Sequence, residues 1–250
     1  YILPPIIFCA GFCLKKRAFV WNLLTITLYG FLGTLLTWLS LAALLLTLQD
    51  SASVFQPGYL GTKNFTTAEV YQLAAVMCST DTVVALSLLD YTRVPVLYAV
   101  AAGEGVLNDA VAVVIFQSTL ALTKIPDSSP QIPDIIWCCV YTFAGSVAIG
   151  SVCGLAAAFV LRKSSMEEEA VRECLLIIMT SWACYLMCEP LEMSGVIAIF
   201  AMSIVLSHYS FGSMTEEGRI GTVMTVHLMS YVAETFVYVA FSLSLCLPFN

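Results

Sequence analysis

The chain has 250 residues, of which 60% are apolar and only 11% carry a formal charge. Soluble domains average about 45–50% apolar and about 25% charged residues. The surface of this protein therefore does not face water throughout. The same composition excludes a disordered chain and a small disulfide scaffold. A net charge of −7 without a basic cluster argues against nucleic-acid binding. The sequence therefore predicts an all-α, multi-pass protein embedded in a lipid bilayer.

Apolar runs divide the chain into about eight helical segments. A membrane-spanning helix needs about 20 mainly apolar residues. We expect helices at 1–13, 18–48, 67–89, 96–122, 134–161, 170–188, 194–206 and 226–247. The second run must tilt, or part of it lies outside the hydrocarbon, and the seventh is too short to cross unbroken unless it joins residues 189–193. We interpret 1–250 as a single partial transmembrane domain, with N-terminal and C-terminal helices of a longer protein missing.

Basic residues are distributed unequally between the alternating loops. If every segment crosses, one side holds Lys15, Lys16, Arg17, Arg93, Arg162, Lys163, Arg172 and Arg219. The other side holds Lys63 and Lys124. The positive-inside rule places the first side in the cytoplasm. The glycosylation sequon at Asn64 falls in a loop on the opposite face.

The sequence predicts no catalytic or metal-binding role for the cysteines and histidines. All ten cysteines fall in or beside apolar runs, so we expect them to act as small hydrophobic side chains. Cys184 and Cys188 have the i, i+4 spacing of a metal-ligand pair, but no His lies near them in the sequence. We expect His208 and His227 in a loop and at the membrane interface. No resident cofactor is predicted.

Acidic residues, unlike Lys and Arg, lie inside the apolar runs. A carboxylate at the bilayer centre costs about 2.5–3.5 kcal/mol on insertion scales. It can be protonated, paired with a buried base, or placed in a wet cavity beside a mobile cation. No Lys or Arg lies deep inside a run. The remaining explanations are protonation, a mobile cation, or a base beyond residue 250.

The densest acidic segment is Gly103–Ala110. Glu104 and Asn108 share a helix face, whereas Asp109 is turned about 100° further round. Small residues along this segment let other helices approach closely, so we expect Asp109 to be well buried. Burial disfavours the charged carboxyl, which lets a proton compete with a cation, as in an exchanger. The alternative is that Asp109 only hydrogen-bonds a neighbouring helix.

A second polar segment, Cys78–Thr82, lies halfway along an apolar run. Ser, Thr and Asp side chains compete with the helix for backbone hydrogen bonds. Either the helix is broken here, as at many transporter ion sites, or it is straight with its hydroxyls bonded to carbonyls. Among the other acids, we expect Glu189 near the interface and Glu234 at an internal position.

Four stretches resemble the sodium/proton exchangers of the monovalent cation/proton antiporter superfamily. They are Leu3–Phe12, Ser79–Thr82, Gly103–Ala110, and Leu206–Tyr209 together with Tyr231–Phe236. They occur in family order over nearly the whole chain, and the Asn-Asp pair of the third is the most specific. The Gly-Glu-Gly at its start is more similar to plant-vacuolar and endosomal members than to animal plasma-membrane ones.

The resemblance implies a partial antiporter fold with inverted repeats and broken helices crossing at an ion site. Asp109 would then bind Na⁺ or K⁺ and the proton, with Asn108 as its orienting neighbour. Thr80 and Asp81 would supply the broken-helix side of the site. Glu104 would pair with an arginine on a later helix that this chain does not contain.

Two further groups of residues are implied by the same resemblance. Glu189 and Glu234 match acidic positions with supporting roles. The region of amiloride-type inhibitors would contain Leu3, Pro4, Pro5 and Phe8. Thr82 stands where many members have Pro, which predicts a less sharp helix break.

The resemblance implies a homodimeric secondary transporter, not an enzyme. It would exchange Na⁺, or K⁺, for H⁺ electroneutrally by alternating access. Its role would be control of pH and cation content in an endosomal, vacuolar or plasma membrane. One alternative is an intramembrane aspartyl protease using Asp81 and Asp109, although neither characteristic protease motif is present. Another is a cation channel or a non-transporting sensor.

Overall fold

In a computed structural model, the described residues are 2–13, 19, 21–55, 66–80, 82, 86, 88–89, 93–123, 132–163, 170–210, 212 and 214–246. Every regular element among them is helical. The helices are α1 (Leu3–Phe12), α2 (Leu23–Thr27), a π-helical turn (Leu28–Gly33), α3 (Thr34–Phe55), α4 (Thr67–Met77), α5 (Pro95–Thr123), α6 (Ile132–Lys163), α7 (Ala170–Cys188), α8 (Gly195–Ser210) and α9 (Glu216–Cys246). The all-α prediction is confirmed.

Within the described ranges, five helical stretches are long and apolar enough to cross a membrane. They are Leu23–Gln49, Pro95–Ala121, Ile132–Lys163, Ala170–Cys188 and Glu216–Ser244. Two shorter apolar helices are Leu3–Phe12 and Gly195–Ser210. The multi-pass architecture follows from these lengths, because about 20 residues at 1.5 Å each span the hydrocarbon layer.

The chain forms two compact units. Tyr1–Lys16 and Ala144–Asn250 make one, which we call the terminal unit, and Arg17–Phe143 make the other, which we call the inner unit. The number of independently folding domains stays a prediction.

Close apolar packing defines the terminal unit. Phe8 and Phe12 stack with ring centroids 5.3 Å apart in a core that includes Met202 and Leu206 of α8. Gly150 of α6 lies directly against the Ala198 carbonyl, where any larger residue would collide with backbone. Small residues thus bring helix backbones together, as is usual where apolar burial alone cannot drive association in lipid.

The inner unit contains a buried indole and a helix start with a capping box. Trp38 of α3 is fully buried and donates its Nε1–H to the Tyr71 carbonyl at 3.1 Å. A capping box begins α4, in which Thr66 Oγ1 accepts from the Glu69 N–H and Glu69 Oε2 from the Thr66 N–H. These reciprocal bonds satisfy two of the amides that a helix start leaves without partners.

Several predicted boundaries are wrong. The segment expected at 226–247 begins at Glu216, because acidic residues in a first helical turn are stabilised by the helix dipole. His227 therefore lies well inside α9, and His208 lies in the last turn of α8, not in a loop. The segment 194–206 does not join the residues before it, since a turn at Glu189–Met193, with Glu192 at φ 56°, separates α7 from α8.

Candidate functional site

The helix that begins at Thr67 is interrupted at its polar segment. It ends at Met77, and Ser79, Thr80 and Thr82 are not helical. A helical hydrogen bond reappears where the Leu86 N–H donates to the Thr82 carbonyl at 2.9 Å. The broken-helix prediction is confirmed, and the physical reason is that hydroxyl side chains compete for the backbone bonds of this segment.

Asn108 of α5 is held between two hydroxyl groups. Its Nδ2 donates to Thr80 Oγ1 at 2.8 Å, and its Oδ1 accepts from Thr34 Oγ1 at 2.8 Å. Thr34 has one hydroxyl proton, which is shared between Asn108 and the Gly30 carbonyl. Asn108 is only 5% exposed, so it ties α5 to the start of α3 and to the broken segment.

Asp109 faces a different direction from its neighbour. Its Oδ1 accepts a hydrogen bond from Ser79 Oγ, on the residue next to Thr80. Two consecutive residues of the broken segment therefore bind two consecutive residues of α5. Asp109 is also the middle residue of the 29 in α5, so it is as far as possible from both helix ends.

The expectation that Asp109 is well buried is wrong for this chain, because its side chain is exposed. The small residues of the segment pack on other faces of α5. A side chain at Gly103 would meet Ile26 and Phe19, and one at Gly105 would meet Thr82. The rotation of about 100° per residue that buries Asn108 directs Asp109 outwards.

A π-helical turn lies against the same part of α5. A Cβ atom at Gly30 would lie 2.7 Å from Leu107 Cβ, so only glycine permits this approach. The turn ends at Gly33, directly before Thr34, whose hydroxyl contacts Asn108. Single π turns are frequent at functional sites because they displace the following side chains.

The remaining predicted site residues have varied positions. Asp81 lies outside the described residues. Glu104 is half-buried on α5, in the same unit as Asp109. Glu234 and Glu189 are exposed and belong to the terminal unit, where Glu234 Oε1 accepts from Ser230 Oγ at 2.8 Å. Within the inner unit, the structure therefore brings together Asp109, Asn108 and Thr80.

The chain is similar to known proteins over its whole length. Residues 1–250 match the family described as "Sodium/hydrogen exchanger, transmembrane". The chain belongs to the sodium/hydrogen exchanger family. It is 33% identical over 241 residues to sodium/hydrogen exchanger 1 of Arabidopsis thaliana and 32% identical over 241 residues to sodium/hydrogen exchanger 1 of Oryza sativa subsp. japonica, in each case across 95% of this chain and 43% of the relative. It is 29% identical over 251 residues to human sodium/hydrogen exchanger 9, across 98% of this chain and 38% of that protein.

The chain thus spans less than half the length of these relatives. The family resemblance drawn from the motifs is confirmed, and so is the multi-pass membrane location. Sodium/hydrogen exchangers are transporters, so membership in their family contradicts the intramembrane-protease alternative for Asp81 and Asp109.

The segment that resembles the exchangers' inhibitor region lines a small apolar cavity of about 20 Å³ in the terminal unit. Pro4 and Phe8 are buried, Pro5 is half-buried and Leu3 is exposed. The cavity is lined by Pro4, Pro5, Phe8, Ile178, Ser181, Trp182, Val226 and Met229. Its role in inhibitor binding stays a prediction.

Two polar residues with structural importance do not stand out in the sequence. Thr34 contacts Asn108 but resembles many other hydroxyl residues in apolar runs. Glu173 lies in the first turn of α7 and is only 3% exposed, and its Oε2 accepts from Thr215 Oγ1 at 3.1 Å. Only the general rule that acids near an apolar run need partners could have drawn attention to Glu173.

Proposed function

We propose that the full-length protein exchanges a monovalent cation for H⁺ across a membrane, with Asp109 as the group that binds either ion. The observation that carries this proposal is the position of an exposed carboxylate at the middle of α5, beside a broken helix. The helices that form this region, Leu23–Phe55, Thr67–Met77 and Pro95–Thr123, contain no Lys or Arg. A carboxylate at this depth is costly unless a cation or a proton neutralises it.

The hydrogen bonds of Asn108 and Asp109 indicate different roles for these two neighbouring residues. Asn108 holds the broken segment and α3 in place through Thr80 and Thr34. Asp109 contacts Ser79, whose hydroxyl oxygen is also a suitable ligand for a hard cation such as Na⁺. Ion exchange at Asp109 therefore leaves the bonds of Asn108 intact.

Alternating access, electroneutral exchange and control of pH belong to the same proposal. Asp109 would cross the membrane with a bound cation and return protonated. Because one carboxylate carries one positive charge in either direction, no net charge moves. The relatives are named as sodium/hydrogen exchangers, which supports Na⁺ as the cation of this chain, with K⁺ as the competitor to test.

The test uses the full-length protein in proteoliposomes with a pH-sensitive dye inside. Asp109→Asn should abolish Na⁺-dependent proton movement. Asp134→Asn, which changes an exposed carboxylate in the first turn of α6, should leave it intact. Full activity in Asp109→Asn would reject the assignment.

Two further measurements test whether the exchange is electroneutral and whether the protein is a carrier or a channel. Clamping the membrane potential should leave the exchange rate unchanged, and a dependence on potential would exclude electroneutrality. A conductance far above carrier turnover would favour the channel alternative. Homodimer formation and the compartment stay predictions, which light scattering of the purified protein and microscopy of a tagged protein would test.

A further inference from the structure

A cluster of two thiols and one imidazole lies in the terminal unit, outside the exchange site. Cys9 and Cys13 are four residues apart at the C-terminal end of α1, and His227 faces them from α9. The two Sγ atoms are 3.8 Å apart. Cys9 Sγ lies 3.6 Å from His227 Nδ1, and Cys13 Sγ lies 3.4 Å from His227 Nε2. The contact differs from the hydrophobic role that the sequence predicts for these cysteines.

One metal ion binds a single nitrogen of an imidazole ring, so the Sγ–Sγ distance and one of the two Sγ–N distances compare with those between the ligands of a tetrahedral ion. Two thiolates bound to Zn²⁺ through bonds of about 2.3 Å are about 3.8 Å apart. A thiolate and an imidazole nitrogen on the same ion are about 3.5 Å apart, because the Zn–N bond is about 2.0–2.1 Å. One ligand atom from each of the three residues lies within 4.8 Å of the others.

The chemistry of the ligands favours one class of metal. Thiolates and imidazole select Zn²⁺ and similar soft or borderline ions over Na⁺, Mg²⁺ or Ca²⁺, which prefer oxygen. Two thiolates and a neutral imidazole around Zn²⁺ have zero net charge, which suits a site on apolar helices. We propose that Cys9, Cys13 and His227 form a Zn²⁺ site with one coordination position open.

The surroundings of the cluster are consistent with binding and release. Cys9 is buried, Cys13 is half-buried and the His227 ring is exposed, so an ion can reach the cluster from the surface of the unit. Glu234 lies two turns after His227 on α9, where its Oε1 accepts from Ser230 Oγ at 2.8 Å. By the positive-inside rule, Cys13 is near the cytoplasmic side, where thiols stay reduced.

Zn²⁺ binding would join α1 to α9. The ion displaces one proton from each thiol, forms two Zn–S bonds and one Zn–N bond, and leaves water in the fourth position. No electron is transferred. The consequence is a link between two helices of the terminal unit that depends on the concentration of free Zn²⁺.

The test is a Co²⁺ titration of the purified full-length protein, because Co²⁺ bound to thiolate has a charge-transfer absorption that Zn²⁺ removes. We expect the band in the wild type, its displacement by Zn²⁺, and its loss in both Cys9→Ser and Cys13→Ser. His227→Ala should weaken Co²⁺ binding at least about tenfold, since even groups that only orient a ligand change metal affinity about 10–100-fold.

Matched controls come from the same chain. His208→Ala removes the other histidine, and Cys138→Ser removes a half-buried thiol of α6, so both should keep the band. Thermal unfolding without metal shows whether each variant is folded. Zn²⁺ should raise the apparent melting temperature of the wild type and of both controls, and should raise that of His227→Ala by less at the same Zn²⁺ concentration.

Three results would overturn the site. One is a wild type without the charge-transfer band, and another is a band that persists in the Cys9→Ser, Cys13→Ser double variant. The third is a thiol titration showing Cys9 and Cys13 oxidised to a disulfide in the freshly isolated protein. None of these readouts measures cation exchange, so their failure is independent of the exchange proposal.

Discussion

The two units use buried polar groups in different ways. In the terminal unit, polar contacts fasten helix ends and turns, as where Ser146 Oγ accepts from the Ser194 N–H at 2.9 Å. In the inner unit, polar side chains meet at the middle of α5, and the adjacent backbone is broken at one helix and π-helical at another. The inner unit thus combines its polar contacts with irregular backbone, whereas the polar contacts of the terminal unit join regular helices and turns.

The largest effect on stability should come from the closest backbone approach in the terminal unit. The side chain in Gly150→Ala would collide with the Ala198 carbonyl, which cannot rotate away. We expect a loss of about 1–3 kcal/mol in the free energy of unfolding, measured by thermal or denaturant unfolding in detergent. The control is Gly221→Ala, which has open space around its Cβ and should gain up to about 1 kcal/mol from helix propensity.

The corresponding change in the inner unit is Gly30→Ala. Its new methyl group would press on Leu107, which precedes the Asn-Asp pair, so both stability and exchange should fall. Gly33→Ala, at the end of the same π turn, has no neighbour within 4 Å and is the matched control. Equal losses in Gly30→Ala and Gly33→Ala would contradict the packing argument.

An effect on stability of similar size is expected from the polar networks. Asn108→Ala removes the group that joins Thr34 to Thr80 and should cost about 1–3 kcal/mol through the loss of two hydrogen bonds of about 0.5–1.5 kcal/mol each. It should also reduce the exchange rate by more than the loss of folded protein explains. Ser146→Ala should have a similar cost in stability with exchange largely preserved. If Ser146→Ala lost exchange equally, the proposed difference between the units would be wrong.

The smallest effect should come from Ser79→Ala. The charged Asp109 carboxylate would lose one donor, and Na⁺ must bind this charged form. We expect the Na⁺ concentration for half-maximal exchange to rise about two- to tenfold, which corresponds to a hydrogen bond of about 0.5–1.5 kcal/mol. Ser40→Ala, an exposed hydroxyl on α3 that bonds to the Thr37 carbonyl, should leave this concentration unchanged.

The sequence predicted the parts of the fold that depend on composition over about 20 residues. The apolar runs at 96–122, 134–161 and 170–188 correspond closely to α5, α6 and α7. The start of α9 was missed because a hydropathy average treats Glu216, Glu217 and Arg219 as a loop, although acids are favourable in a first helical turn. The π-helical turn was missed because its formation depends on the contact between Gly30 and Leu107.

The sequence predicted those parts of the candidate site that consist of neighbouring residues. The hydroxyl-rich segment after Met77 and the Asn-Asp pair were both visible in the sequence. Their partner Thr34 is 74 positions from Asn108, and His227 is 214 positions from Cys13, so neither contact follows from spacing. The exposure of Asp109 was also unpredictable, since it depends on which faces of α5 receive neighbouring helices.

The order of residues 108 and 109 has a consequence that composition does not show. A chain with Asp at 108 and Asn at 109 would have the same hydropathy, length and net charge. Its carboxylate would be enclosed between Thr34 and Thr80, and its amide would take the accessible position. Residue 108, which holds the helices together, would then be titratable, and residue 109, which is exposed, would be neutral. Exchanging two neighbouring residues would therefore exchange the structural role and the proposed ion-binding role.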